Sequence, residues 1–154
     1  MPDTKIAIEA SESSTEHEEV RQFVIKQLRD FNRQRAEAPE FEPFSLSVRD
    51  DHVLVGGLVG EIGWKWLFVE LLWIAESHRD RGLGASLLRS AEAEAIRRGA
   101  RHAYLDTFDF QARPFYERQG YEVFGVLEDY PPGHRRFFLR KDLIEASGAQ
   151  HADS

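Results

Sequence analysis

Along most of this 154-residue chain, apolar residues either alternate with polar ones or return every three to four positions. Alternation from Lys5 to Glu9 predicts a strand. Thr15-x-x-Glu18 predicts a capping box, and Val20, Phe23, Val24, Leu28 and Phe31 then recur at helical spacing, so a helix is expected to about Arg35. Pro39 and Pro43 break the pattern in an aromatic-rich loop. Phe44 to Val48 and His52 to Val59 predict a hairpin around Asp50-Asp51, with a bulge at Gly56-Gly57. Gly60 and Gly63 predict a turn, followed by one long strand from Trp64 to Ala75. The stripe Leu83, Leu87, Leu88, Ala91 and Ala95 predicts a helix from Gly82 to Arg98, capped by Gly99. His102 to Thr107 reads as the next strand, so this strand–helix–strand unit should join parallel strands by a right-handed crossover. A short helix from Ala112 to Gln119 ends at Gly120. Tyr121 to Leu127 and Arg136 to Arg140 then predict two strands paired across Tyr130-Pro131-Pro132-Gly133.

The length suits one domain, residues 1–146, and the small, polar residues 147–154 are expected to form a disordered tail. With no cysteine, disulfides, thiolate zinc sites and cysteine nucleophiles are excluded. The six histidines form no close ligand-like pair, so no metal is expected. A net charge of −7 argues against nucleic-acid binding, which depends on a basic surface. The longest apolar run, Leu67 to Ala75, is too short for a membrane span and is interrupted by Glu70. No basic segment followed by an apolar one opens the chain, and a cytoplasmic protein is expected.

Candidate chemistry gathers at Arg79-Asp80-Arg81-Gly82-Leu83-Gly84, between the long strand and the helix that follows it. A helix N-terminus offers unpaired N–H groups and the positive end of the helix dipole to an anion such as phosphate. The two glycines allow close approach, and the arginines add charge and forked donors. A Walker-type loop is excluded because no lysine follows Gly84. A dinucleotide fingerprint would need Gly or Ala where Leu87 stands, although Asp106 falls about where a ribose-binding acid would sit. On these six residues alone, a simple strand-to-helix turn competes evenly with a ligand site.

A second segment runs Ala112-Arg113-Pro114-Phe115-Tyr116-Glu117-Arg118-Gln119-Gly120-Tyr121. Together the two segments resemble the GNAT superfamily of N-acetyltransferases. Its acetyl-CoA loop, Arg/Gln-x-x-Gly-x-Gly/Ala after the fourth strand, is matched by Arg79, Gly82 and Gly84. Its later Ala-x-x-Phe-Tyr-Glu-x-x-Gly-Phe/Tyr is matched by Ala112, Phe115, Tyr116, Glu117, Gly120 and Tyr121. One helix and one strand lie between them, as in the family. The resemblance covers about Lys5 to Leu143 and is specific between Leu71 and Phe124.

The fold this implies is α+β, a mixed and mostly antiparallel sheet flanked by helices, with one parallel crossover. The activity it implies is transfer of acetyl from acetyl-CoA to a primary amine of a small molecule or peptide, in a ternary complex without a covalent enzyme intermediate. The pyrophosphate would lie on the amides of Arg81, Gly82, Leu83, Gly84 and Ala85, with Ser86 nearby. The pantetheine arm would hydrogen-bond the exposed edge of the fourth strand, here Leu72, Trp73 and Ile74. Many relatives carry an asparagine three residues before the alanine; Asp109 stands there, and Gln111 would compensate. Tyr116 matches the family's acid for the departing thiolate. Glu70, a carboxylate in an apolar strand, is the candidate base, acting directly or through water, with Asp106 and Asp109 as rivals. Phe31, Asn32, Phe41, Trp64, Trp66, the Glu128-Asp129-Tyr130 turn and His134 are further candidates around an acceptor pocket. A homodimer would be in keeping with the family, and a non-catalytic acyl-CoA-binding module is the alternative function.

Overall fold

The computed structural model describes residues 6–37 and 41–143. The chain divides into two compact units, residues 1–39 and 40–154. The tail expected from residue 147 lies outside the described residues.

The first unit contains helix α1 (Ser14–Arg33). Its cap lies two residues earlier than the expected box: the Ser13 side chain accepts the Glu16 N–H at 3.1 Å. The Glu16 carboxylate accepts the Glu12 N–H at 2.8 Å, so the reciprocal bond reaches one residue beyond the cap. The strand expected at Lys5 to Glu9 is not formed over its described part, residues 6–9. Alternation over so few residues carries no structure without a partner ladder.

The second unit runs β1 (Glu42–Asp50), β2 (Val53–Gly63), β3 (Trp66–Ile74), α2 (Leu83–Arg97), β4 (His102–Phe108), α3 (Arg113–Arg118), β5 (Glu122–Glu128) and β6 (Arg135–Asp142). The six strands form one sheet in the order β1-β2-β3-β4-β6-β5. Only β3 and β4 pair in parallel, across the α2 connection; every other neighbouring pair is antiparallel. The expected mixed, mostly antiparallel sheet is therefore present, and the strands that the resemblance numbers fourth and fifth correspond to β3 and β4.

Two glycine expectations need correction. The turn before β3 is Trp64-Lys65, with φ of 49° and 66°, and β2 runs through Gly60 to end on Gly63. Both glycines instead admit a close neighbour: the Phe41 ring lies where a Gly63 side chain would be, and the Phe68 carbonyl crowds Gly60. The first-hairpin bulge sits beside the expected glycine pair, since Val48 faces Gly56 and Arg49 faces Leu54, leaving Val55 as the extra residue.

The expected apolar stripe of α2 packs on the sheet. Leu87, Leu88, Ala91 and Ala95 are buried with Leu58, Leu67, Leu105 and Leu139 from four strands. Fully burying each leucine contributes about 1.5–3 kcal/mol, and the two alanines let helix and sheet approach closely. One charge joins this interface: buried Glu92 of α2 meets Lys141 of β6, with Nζ 2.7 Å from one carboxylate oxygen and 3.0 Å from the other.

Candidate active site

The site begins with one extra residue in β3. Val59 pairs with Leu71 but Gly60 pairs with Val69, so Glu70 is a bulge. A bulge bends its strand and increases local twist. Consistent with that, β3 and β4 stay paired only from Trp66–His102 to Val69–Leu105 and then part. Gly60 permits the bend, because a Cβ there would stand 2.5 Å from the Phe68 oxygen. Beyond the bulge, Leu71 to Ile74 keep their ladder with β2 but turn an unpaired backbone edge toward β4.

The chain leaving β3 is tied back to its own end. Ala75 N–H donates to Val55 O at 2.8 Å, and Arg79 Nε donates to Ile74 O at 2.9 Å. A short 3-10 turn, Glu76–His78, then leads to Asp80 and Gly82, whose φ values of 61° and 73° aim the first turn of α2 at the gap. No side chain caps that helix. The first amides of α2, at Leu83, Gly84 and Ala85, therefore remain available as donors. Gly84 lies against Phe115, where a Cβ would come 3.4 Å from the ring.

On the β4 side, Gln111 Oε1 accepts the Phe108 N–H at 2.9 Å and the Thr107 hydroxyl at 3.1 Å, which shapes the turn into α3. Its oxygen is engaged, so Gln111 offers its NH2 group to a ligand. Pro114 stands in the first turn of α3, where Tyr116 packs edge-on against Phe115 at 5.1 Å. Tyr116 is 8% exposed, and burial together with the nearby Asp106 charge pushes its phenol up to about 12. It therefore stays a proton donor at any physiological pH.

These elements enclose a cleft of about 740 Å³. Every residue expected to hold acetyl-CoA lines it except Arg81 and Ser86, and so do Tyr116 and Glu70. Arg81 reaches back to the Ser77 carbonyl at 3.4 Å, and the Ser86 hydroxyl faces Arg89 on the same helix. Of the rival carboxylates, Asp106 lines the cleft and Asp109 does not. Asp109 instead holds His134 Nδ1 at 2.9 Å and accepts the Arg135 N–H at 3.0 Å. Trp64 packs edge-on with Phe41 at 5.3 Å and Trp66 lies 4.7 Å from His102, both outside the cleft lining. Several lining residues were not singled out for the site in the sequence, His78, Thr107, Phe110 and Gln119 among them. His78 bonds Asp50 at 2.8 Å across the sheet end, a pairing that only the fold brings together.

A second buried phenol is close by. Tyr121 sits 6.1 Å from Tyr116 ring to ring, and its hydroxyl is buried without a hydrogen-bond partner among the described residues. Burial, then the Glu92 charge, raises its pKa. Tyr121→Phe removes an unsatisfied group, so stability should change by less than about 1 kcal/mol or rise, with turnover intact. A large loss of Tm on thermal denaturation would reveal a missing partner.

Comparison with known proteins adds four findings. The model of the Acetyltransferase (GNAT) family matches residues 8–121. An acetyltransferase of Agrobacterium fabrum (strain C58) is 36% identical over 121 residues, covering 75% of this chain and 88% of that protein. The blasticidin-S acetyltransferase of Streptomyces morookaense is 45% identical over 91 residues, covering 58% of this chain and 67% of the relative. Among solved structures, an acetyltransferase from Bacillus cereus ATCC 14579 superposes with a TM-score of 0.77 at 33% identity, covering 89% of this chain and 97% of that one.

Proposed function

The chain belongs to the GNAT family of acetyltransferases, and from that we propose that it moves an acetyl group from acetyl-CoA to a primary amine of a small molecule or peptide, by direct attack in a ternary complex. The observation that carries this reading is the uncapped start of α2 beside an open strand edge, with a protonated Tyr116 in the same cleft. The residues fit the donor. The amides of Leu83, Gly84 and Ala85, with Arg79 nearby, suit the pyrophosphate; the free edge of Leu72, Trp73 and Ile74 suits the amide groups of the pantetheine arm. Acetyl-CoA supplies the thioester.

The chain's own groups then handle protons. The acceptor ammonium gives up one proton to become nucleophilic, and Glu70, exposed at the cleft, accepts it through water. The amine nitrogen bonds to the acetyl carbon as the C–S bond breaks. Tyr116 donates its proton to the leaving sulfur and regains one from the nitrogen or from solvent, leaving an amide and a free thiol.

A thermal shift with acetyl-CoA, with ATP and NAD as controls, tests the first half. At one hundred times the Kd the ligand should add about 2.7 kcal/mol, a shift of several degrees. Mass spectrometry on amines, beginning with blasticidin S because a relative carries that name, tests the second. No shift at millimolar acetyl-CoA would overturn the reading. Binding without acetylation of any amine would favour an acyl-CoA-binding module.

A further inference from the structure

We propose that Asp106 receives and orients the acceptor's ammonium group, with Phe110 forming the apolar wall beside it, so that the preferred acceptor is a primary amine next to a planar or apolar group. This inference rests on the acetyl-transfer reading. Asp106 and Glu70 each follow the last parallel pair, Val69–Leu105, so both stand where the strands begin to part. Both line the cleft that holds Tyr116. Their surroundings differ. Glu70 is an exposed bulge residue, whereas the Asp106 side chain is 20% exposed and fixed.

The grip on Asp106 is one-sided. Arg136 approaches a single oxygen, Oδ1, with Nε at 2.8 Å and Nη2 at 2.7 Å. A fork that used both oxygens would close the carboxylate to other cations; this one leaves Oδ2 for a second donor. Arg136 is itself held over the rings of Tyr130, Phe138 and Phe108, at 5.0, 5.1 and 5.6 Å. The carboxylate is thus positioned before a substrate arrives. In a partly desolvated cleft its attraction for an ammonium exceeds that of an exposed carboxylate.

Phe110 completes the subsite. It lines the cleft and is 58% exposed, yet it is stacked on Phe108 at 5.2 Å and 1°, and Phe108 is stacked in turn on Tyr130 at 5.9 Å and 5°. A flat substituent can extend that stack.

The test measures binding and turnover of blasticidin S, spermidine and phenethylamine by the wild-type protein and Asp106→Asn. Calorimetry on the CoA-saturated protein gives each amine's Kd, and steady-state kinetics gives KM and kcat. The amine Kd and KM should rise about tenfold or more in D106N, with the Kd for acetyl-CoA unchanged. If D106N does not fold, D106N/R136Q removes both charges of the pair and should show the same rise. An unchanged amine Kd overturns the inference even if kcat falls, as does acetyl-CoA binding with none of the three amines bound. Failure of the wild type to bind acetyl-CoA strikes the underlying acetyl-transfer reading instead.

Discussion

Tyr116→Phe is expected to lower kcat for amine acetylation by about a hundredfold or more, with Tm and the Kd for acetyl-CoA nearly unchanged. The substitution removes one oxygen and keeps the ring, so the edge contacts with Phe115 and Tyr121 persist. What is lost is a donor held in its protonated form. Burial and then the Asp106 charge place the phenol at about 12, so it keeps its proton at working pH. As the C–S bond breaks, negative charge grows on sulfur, and the phenol that would meet it is buried. A donor there is worth more in the transition state than in the ground state, which is why kcat should fall rather than KM rise. The sign of the shift also fixes the pH profile. A group raised to about 12 stays protonated below that value, so Tyr116 should add no alkaline limb to wild-type kcat/KM below about pH 11. Stopped-time assays of both proteins from pH 6 to 10 check this; equal kcat values would remove Tyr116 from the chemistry.

Gly60→Ala should cost about 1–3 kcal/mol of folding stability and weaken acetyl-CoA binding at the same time. The added Cβ would stand 2.5 Å from the Phe68 carbonyl oxygen, an atom of the backbone rather than the tip of a movable side chain. Relief requires β3 to move away from β2 beside the Glu70 bulge, where the opening toward β4 begins. A Tm lower by roughly 5 °C, together with a higher Kd for acetyl-CoA, is the expected pair of results. An unaltered Tm would show that the strands relax freely and that Gly60 does not hold the bend.

Both predictions depend on features of unequal visibility in the sequence. Helix α2 was legible because its apolar stripe is strict and Gly82 and Gly99 both need positive φ. The loop from Arg79 to Gly84 stood out by its glycines and arginines, but it pointed to acetyl-CoA only together with the segment from Ala112 to Tyr121. The Glu70 bulge was not legible: Leu67, Val69, Leu71, Leu72, Trp73 and Ile74 are apolar on both parities, so no broken alternation marks the extra residue. Gly60 and Gly63 suggested a turn because turn and close approach demand the same missing Cβ, while Trp64 and Lys65 took up positive φ without glycine. The first cap was misplaced because Ser13 and Thr15 are both good caps with a glutamate three residues on. Asp106 and Arg136 are 30 residues apart, and their pairing exists only because β6 lies beside β4.

Glu70 also divides β3 into two halves that obey opposite rules. Before it, Leu67 and Val69 are buried; after it, burial passes to Ile74, while Leu71 and Trp73 are 61% and 59% exposed. For a lineage of such proteins, this strand can vary in its letters far more readily than in its length. Losing Glu70 would leave Leu71 and Trp73 outward and Ile74 inward, but it would remove the bulge beside which β3 parts from β4 and so flatten the strand that opens the cleft. In drift, insertions and deletions should therefore be purged from β3 even where substitutions accumulate, and an alignment that opens a gap between Gly60 and Ile74 should be distrusted.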